Sequence, residues 1–227
     1  MSTIDISKST TQKSVLQTNQ VIRNTYMLLA MTLIFSAVTA GISLAMQVTS
    51  LFAYLGCIIG GVGVLFIIHK KQNSAAALPL TFLFTGLWGF ALGPILTHYL
   101  SLSNGSEIVM TALGMTAFTF IGLSVYVLNS KKDFSFMGGF LAAGSMVVII
   151  AMLALFILPL FGVNISGLSL AFSAAVVLLM CGFILYDTSN IVNGTYQNYV
   201  MATVSLYMNI FNLFIHLLAL TGFLNDD

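Results

Sequence analysis

The sequence predicts an all-α integral membrane protein with seven transmembrane helices, and three observations predict it. Hydrophobic residues make up 59% of the 227-residue chain and charged residues 6%, against roughly 25% charged in a typical soluble domain. The apolar residues gather in stretches of about 20, the length that crosses roughly 30 Å of hydrocarbon as a helix. All seven Lys and Arg residues, at positions 8, 13, 23, 70, 71, 131 and 132, lie in three polar gaps, and every second gap has none.

Taken in order, residues 1–22 are polar, with Ser, Thr and Gln in place of a short apolar core and a small-residue cleavage site. They are expected to form a flexible cytosolic tail rather than a removable signal peptide. Residues 23–227 form the transmembrane domain, with spans expected near 24–46, 51–68, 76–98, 107–128, 136–160, 167–188 and 200–223. Cytoplasmic loops collect Lys and Arg, so the tail, the Lys70-Lys71 turn and the Lys131-Lys132 turn should face the cytosol. The gaps at 47–50, 99–106 and 161–166 are then external, and seven spans leave Asn225–Asp227 outside. No basic residue holds the 189–199 connection in the cytosol, so a re-entrant seventh segment is the alternative to a full span.

Small residues mark expected helix contacts. Gly56 with Gly60 and Gly89 with Gly93 have the GxxxG spacing that lets backbones approach, and Gly138-Gly139 with Ala142-Ala143-Gly144 extends it. Pro94 should kink the third span. Cys57 and Cys181 lie inside spans without metal-ligand spacing and read as small buried side chains.

Ionisable groups are costly in lipid and usually face an interior or a cavity. Asp187 stands about 19 residues into the sixth span and opposes the negative end of the helix dipole; if the helix runs to Asn193-Gly194, the acid lies more than a turn inside. An acid reaching interfacial water is the plainer reading. Ser205, Asn209, Asn212 and His216, separated by 4, 3 and 4 residues, share one face of the seventh span. Such a seam should turn inward, which surrounds this helix with others. It serves either ordinary interhelical hydrogen bonding or a polar, proton-responsive pathway, with Asp187 and His216 as its titratable members. His69 and His98 sit at span ends and read as interfacial.

Catalytic templates fail. Tyr186-Asp187 is superficially like an intramembrane aspartyl protease, but that chemistry needs a second carboxylate and no other Asp lies inside a span. There is no GxSxG segment, no metal-ligand cluster and no phosphate-binding glycine loop. An enzyme is not expected, nor is a cofactor, a bound metal or a nucleic-acid partner.

Five segments together resemble a known family. They are Arg23-Asn24-Thr25-Tyr26, Gly93-Pro94-Ile95-Leu96, Lys131-Lys132-Asp133-Phe134-Ser135-Phe136, Tyr186-Asp187, and Ser205-Leu206-Tyr207 with Asn212-Leu213-Phe214. From about residue 15 the chain resembles the Bax inhibitor family of seven-helix membrane proteins, most closely its bacterial YccA branch. The resemblance implies six helices around a central seventh and a bacterial inner-membrane location. It also implies two functions. One is binding and restraint of the ATP-dependent membrane protease FtsH, with residues 1–22 as the handle. The other is a pH-sensitive calcium leak, with Ca2+ as the transported ion, in which one Asp ending the sixth helix and one in the seventh share a proton. Asp187 matches the first acid, but Asn209 stands where the second is expected. An amide cannot share a proton as a carboxylate does, which shifts the expectation towards the protease modulator.

Overall fold

The structure is a computed structural model that describes residues 3–130 and 132–224, with side chains from Leu16 onward. Lys131, Asn225–Asp227 and the side chains of Lys8 and Lys13, which entered the topology argument, lie outside the described residues. The helices are α1 (Thr3–Ala45), α2 (Leu51–Lys71), α3 (Ala77–Leu100), α4 (Gly105–Ser130), α5 (Gly138–Ile157), α6 (Ser166–Val192) and α7 (Tyr199–Leu224), with short 3-10 turns at each end of α5. Among the described residues, seven helices are long and apolar enough to cross a membrane.

Burial runs inversely to hydropathy. The richest window of α5 has mean hydropathy 2.8 with 6% of its residues buried, whereas that of α7 has 1.6 with 61% buried. In lipid the apolar helix gains nothing by leaving the surface, while a helix with hydrogen-bonding side chains is stabilised inside. α7 packs against α1, α3, α4 and α6, with α2 on α3 and α5 on α6. The seventh helix is therefore the most buried, but the structure does not show a ring of six equal neighbours.

The α1–α3 contact depends on one of the two GxxxG pairs. A Cβ on Gly89 would run into the Ser36 carbonyl and the Thr39 hydroxyl, and one on Gly93 into the Ser43 side chain. In α2 the pattern holds only in part: Gly56 faces open space, Gly60 packs on Leu87 of α3 at 3.6 Å, and the closest approach falls at Gly61, 2.6 Å from the Trp88 ring nitrogen by the same construction. Pro94 does not end α3, which runs unbroken to Leu100.

The connection between α6 and α7 lies at the same end of the bundle as the Lys70-Lys71 turn. The Asn198 amide donates to the Gln72 carbonyl at 2.7 Å and to the Asn73 side chain at 2.9 Å. At the other end Gly222 lies against Tyr99 of α3. α7 thus runs the full depth of the bundle, and the re-entrant alternative is set aside.

Candidate functional site

The site forms where α6 ends. The helix continues past Asp187 to Val192, and Gly194 then takes a left-handed conformation with φ 74°, the glycine stop that closes many helices. The N–H groups of Thr195 and Tyr196 both return to the Asn190 carbonyl, at 2.9 and 3.2 Å. This turn folds the chain back, so that Tyr196 reaches the acid nine residues before it.

Asp187 is 2% exposed. Its Oδ2 accepts hydrogen bonds from the Ser205 hydroxyl at 2.6 Å and the Asn209 amide at 2.7 Å, and its Oδ1 accepts one from the Tyr196 hydroxyl at 3.1 Å. Ser205 and Asn209 are one turn apart on α7, so the carboxylate bridges two successive rungs of the seam. All three donors are neutral. They supply what a buried carboxylate needs in place of water.

The rest of the seam does not join them. The Asn212 amide turns back to the Met208 carbonyl of its own helix at 2.8 Å. His216 Nδ1 pairs with Ser173 of α6 at 3.2 Å, and its ring meets Phe172 edge-on at 5.5 Å between centroids. α6 and α7 run antiparallel, so residues near the end of α6 meet the start of α7, and those near its beginning meet His216. The proposed partnership of Asp187 with His216 is not formed.

Sequence reasoning missed two members. Tyr196 lies in a loop, outside the helical periodicity that exposed the seam, and only the Asn193-Gly194 stop hinted at a chain reversal. It also borders a polar cavity of about 650 Å³ at the Lys70-Lys71 end, lined by amides that include Gln17, Asn24, Asn193 and Gln197. Burial, reinforced by the carboxylate of Asp187, pushes the Tyr196 hydroxyl up to about 12. The second is Ser189, two residues beyond Asp187. Its hydroxyl accepts the Phe134 N–H at 2.9 Å, while Asp133 accepts the Ser135 N–H at 2.9 Å and the Asn193 amide at 3.2 Å. These bonds pin the α4–α5 connection to the end of α6. The Ser135 N–H, with the neighbouring hydroxyls and amide, holds the exposed Asp133 carboxyl below the usual carboxylate range.

A third polar cluster lies deeper. The Ser36 and Tyr207 hydroxyls are 2.7 Å apart, and Tyr207 donates to the Thr85 carbonyl at 3.1 Å. This ties α1, α3 and α7 together inside the bundle.

Fold and site together define a seven-helix integral membrane protein in which one acid, the only deeply buried one among the described residues, is held by neutral donors from the most buried helix and the loop before it. The family described as "Inhibitor of apoptosis-promoting Bax1" matches residues 18–226, and the chain belongs to it. It is 44% identical over 222 residues, 98% of both chains, to "Modulator of FtsH protease YccA" of Escherichia coli K12. An "Uncharacterized membrane protein" of Vibrio cholerae is 43% identical over 228 residues, the full length of both. "Protein lifeguard 4" of Mus musculus is 31% identical over 206 residues, 87% of this chain and 82% of the other. None of these names describes an enzyme.

Proposed function

We propose that the protein is a bacterial inner-membrane modulator of the FtsH protease, with its N-terminal tail, the Lys70-Lys71 turn and the α6–α7 connection on the cytosolic side. The observation that carries this reading is the 44% identity over 98% of both chains to a protein named for that role. The charge pattern supports the orientation, since Arg23, Lys70, Lys71 and Lys132 all fall on the gaps assigned to the cytosol. The site is in keeping with it: Asp187 faces an amide on α7 and not a second acid, so the proton-sharing pair of the leak mechanism has no counterpart in this contact.

The test is co-purification from bacterial membranes with FtsH, followed by degradation of a membrane substrate by the purified protease with and without this protein. Binding and slower degradation are expected, both lost on deletion of residues 1–22 and both kept in Asp187→Asn. A second reading, the calcium leak, draws on the polar cavity that ends at Tyr196 against Asp187. Calcium entry into indicator-loaded liposomes that disappears in Asp187→Asn, with no FtsH captured, would replace the modulator reading by the leak.

A further inference from the structure

We propose that the groove between α1 and α4 is a binding site for one acyl chain of a phospholipid. The groove is a cavity of about 410 Å³ whose floor is α7, at Tyr207, Ile210, Phe211 and Phe214. It exists because α1 packs on α3 while α4 packs on α7 and α6, leaving α1 and α4 without a shared packing face. Its lips are small: Ala37 on α1 and Ala117 on α4, both exposed, line the opening.

Three observations select hydrocarbon as the occupant. First, the groove lies at mid-depth, since Ala117 and Phe211 fall near the midpoints of Gly105–Ser130 and Tyr199–Leu224. Second, it is continuous with the lipid-facing surface: Leu113 and Ile121 line it and are 47% and 57% exposed, and Phe118 beside them is 83% exposed. Third, the hydroxyl hydrogens in its wall are already donated. Ser36 and Tyr207 bond each other, Tyr207 donates to Thr85, and Thr116 donates to the Ala112 carbonyl at 2.7 Å. Water needs two to four polar partners to occupy a cavity; these hydroxyls have no hydrogen left to donate and the rest of the lining is apolar, which favours hydrocarbon over water or a headgroup. An empty groove would forfeit the dispersion contacts of its lining. Its ends are bounded, by the Tyr26–Phe120 ring contact at 6.3 Å on one side and by Leu92, where α3 leans on α4, on the other. A single flexible chain lying across α7 fits this shape. Through Tyr207 and Ile210 it would touch the helix on either side of Asn209, so lipid occupancy bears directly on the helix that holds Asp187.

The full-length protein is reconstituted in vesicles containing a phosphatidylethanolamine with a photoreactive group midway along one acyl chain, and adducts are mapped by mass spectrometry. Adducts are expected on Tyr207, Ile210, Phe211 and Phe214, the buried α7 residues that line the groove, as well as on outward residues such as Phe118. Ala117→Trp, which fills the opening, should lower the α7 adducts about tenfold, the loss expected on removing contact worth roughly two buried methylenes, with the Phe118 adducts unchanged. Ala37→Leu serves the same purpose should Ala117→Trp fail to melt cooperatively. Adducts confined to outward residues, or α7 adducts that survive the filling of the groove, would overturn the proposal. Displacement of the α7 adducts by excess isoprenoid quinone would overturn the acyl-chain assignment.

Discussion

Replacing Asp187 by Ala should cost this fold about 2–4 kcal/mol, and replacing it by Asn should cost less than about 1. The figure follows from what the carboxylate satisfies. Three donors converge on it, from Ser205, Asn209 and Tyr196, and each buried donor left without a partner costs about 1–3 kcal/mol. Not all three are stranded. Tyr196 is only partly buried and borders the polar cavity, so water takes over its bond. Ser205 can turn to the carbonyl four residues earlier on α7, as helical serines do. Asn209 is 7% exposed and can at most turn one N–H back to its own helix, as Asn212 does to Met208, which leaves its other polar atoms unpaired, so it carries most of the loss, with the cavity left by the truncated side chain adding to it. Asn at 187 keeps the shape and one acceptor oxygen for Ser205 and Asn209, and its amide can face the Tyr196 hydroxyl, which accepts as well as donates. Neither variant can ionise at 187, so their difference isolates hydrogen bonding from the cost of burying a charge. The assay is reversible unfolding in mixed micelles titrated with a denaturing detergent. Asp187→Ala within 1 kcal/mol of Asp187→Asn would refute the reasoning, because the three bonds would then contribute nothing to α6–α7 packing.

Tyr196→Ala should open the polar cavity onto the acid, raising labelling of Asp187 by a water-soluble carbodiimide severalfold in mass-spectrometric mapping. Tyr196→Phe, which keeps the ring in place, should leave labelling near wild type and cost about 1 kcal/mol for the lost bond. Gly93→Leu should separate α1 from α3 and cost about 3 kcal/mol or more by overpacking, since even a Cβ there meets Ser43, whereas Gly56→Ala, with open space beside it, should be neutral or slightly stabilising. Asp133 has a folded-state carboxyl held below its usual range, so its contribution is present above the unfolded value of about 3.9 and is lost as pH falls through the folded one. Asp133→Asn should therefore melt slightly below the wild type at neutral pH and converge with it as pH falls below about 4, which flattens the acid side of the profile of melting temperature against pH.

The spans were legible because hydrocarbon thickness sets their length, and nearly every one begins and ends within a few residues of where the apolar runs do. The exception is α1, whose helix starts at Thr3 and whose apolar span extends back to Leu16. Gln17, Gln20 and Asn24 line the polar cavity instead of facing lipid, so hydropathy did not report that they are helical. In the site, Ser205 and Asn209 were legible because residues four apart on a helix must share a face. The same rule overreached at Asn212 and His216, because periodicity on one helix says which residues align and nothing about what stands opposite each of them. Ser173 and the backbone of Met208 are facts of the antiparallel pairing with α6 and of the helix itself. Tyr196 depended on a left-handed turn whose outcome is set by three-dimensional closure. The Gly56–Gly60 expectation held only at Gly60 for a similar reason: GxxxG marks a surface that can be approached, and α3 comes closest to α2 one residue further on, at Gly61.

The amide at 209 also explains how a buried acid can be a fixed part of the bundle. Two carboxyls at hydrogen-bonding distance hold together only while one of them carries a proton, so such a pair makes helix contact conditional on pH. Asn209 has both a donor and an acceptor. Its amide stands 2.7 Å from Oδ2, placed to donate to the ionised acid, and its carbonyl could accept from the protonated one, so the α6–α7 contact has a partner in either state. Ser205 has the same versatility, and a separate cluster two residues on, Ser189 and Asn193 with Asp133, holds the α4–α5 connection. The end of α6 is thus joined to α7, to its own following turn and to the loop before α5 by hydroxyl and amide groups gathered on two acids, Asp187 and Asp133. A surface built this way keeps its shape as pH changes. That is a useful property in a face that another membrane protein has to recognise, and a poor one in a gate that has to open.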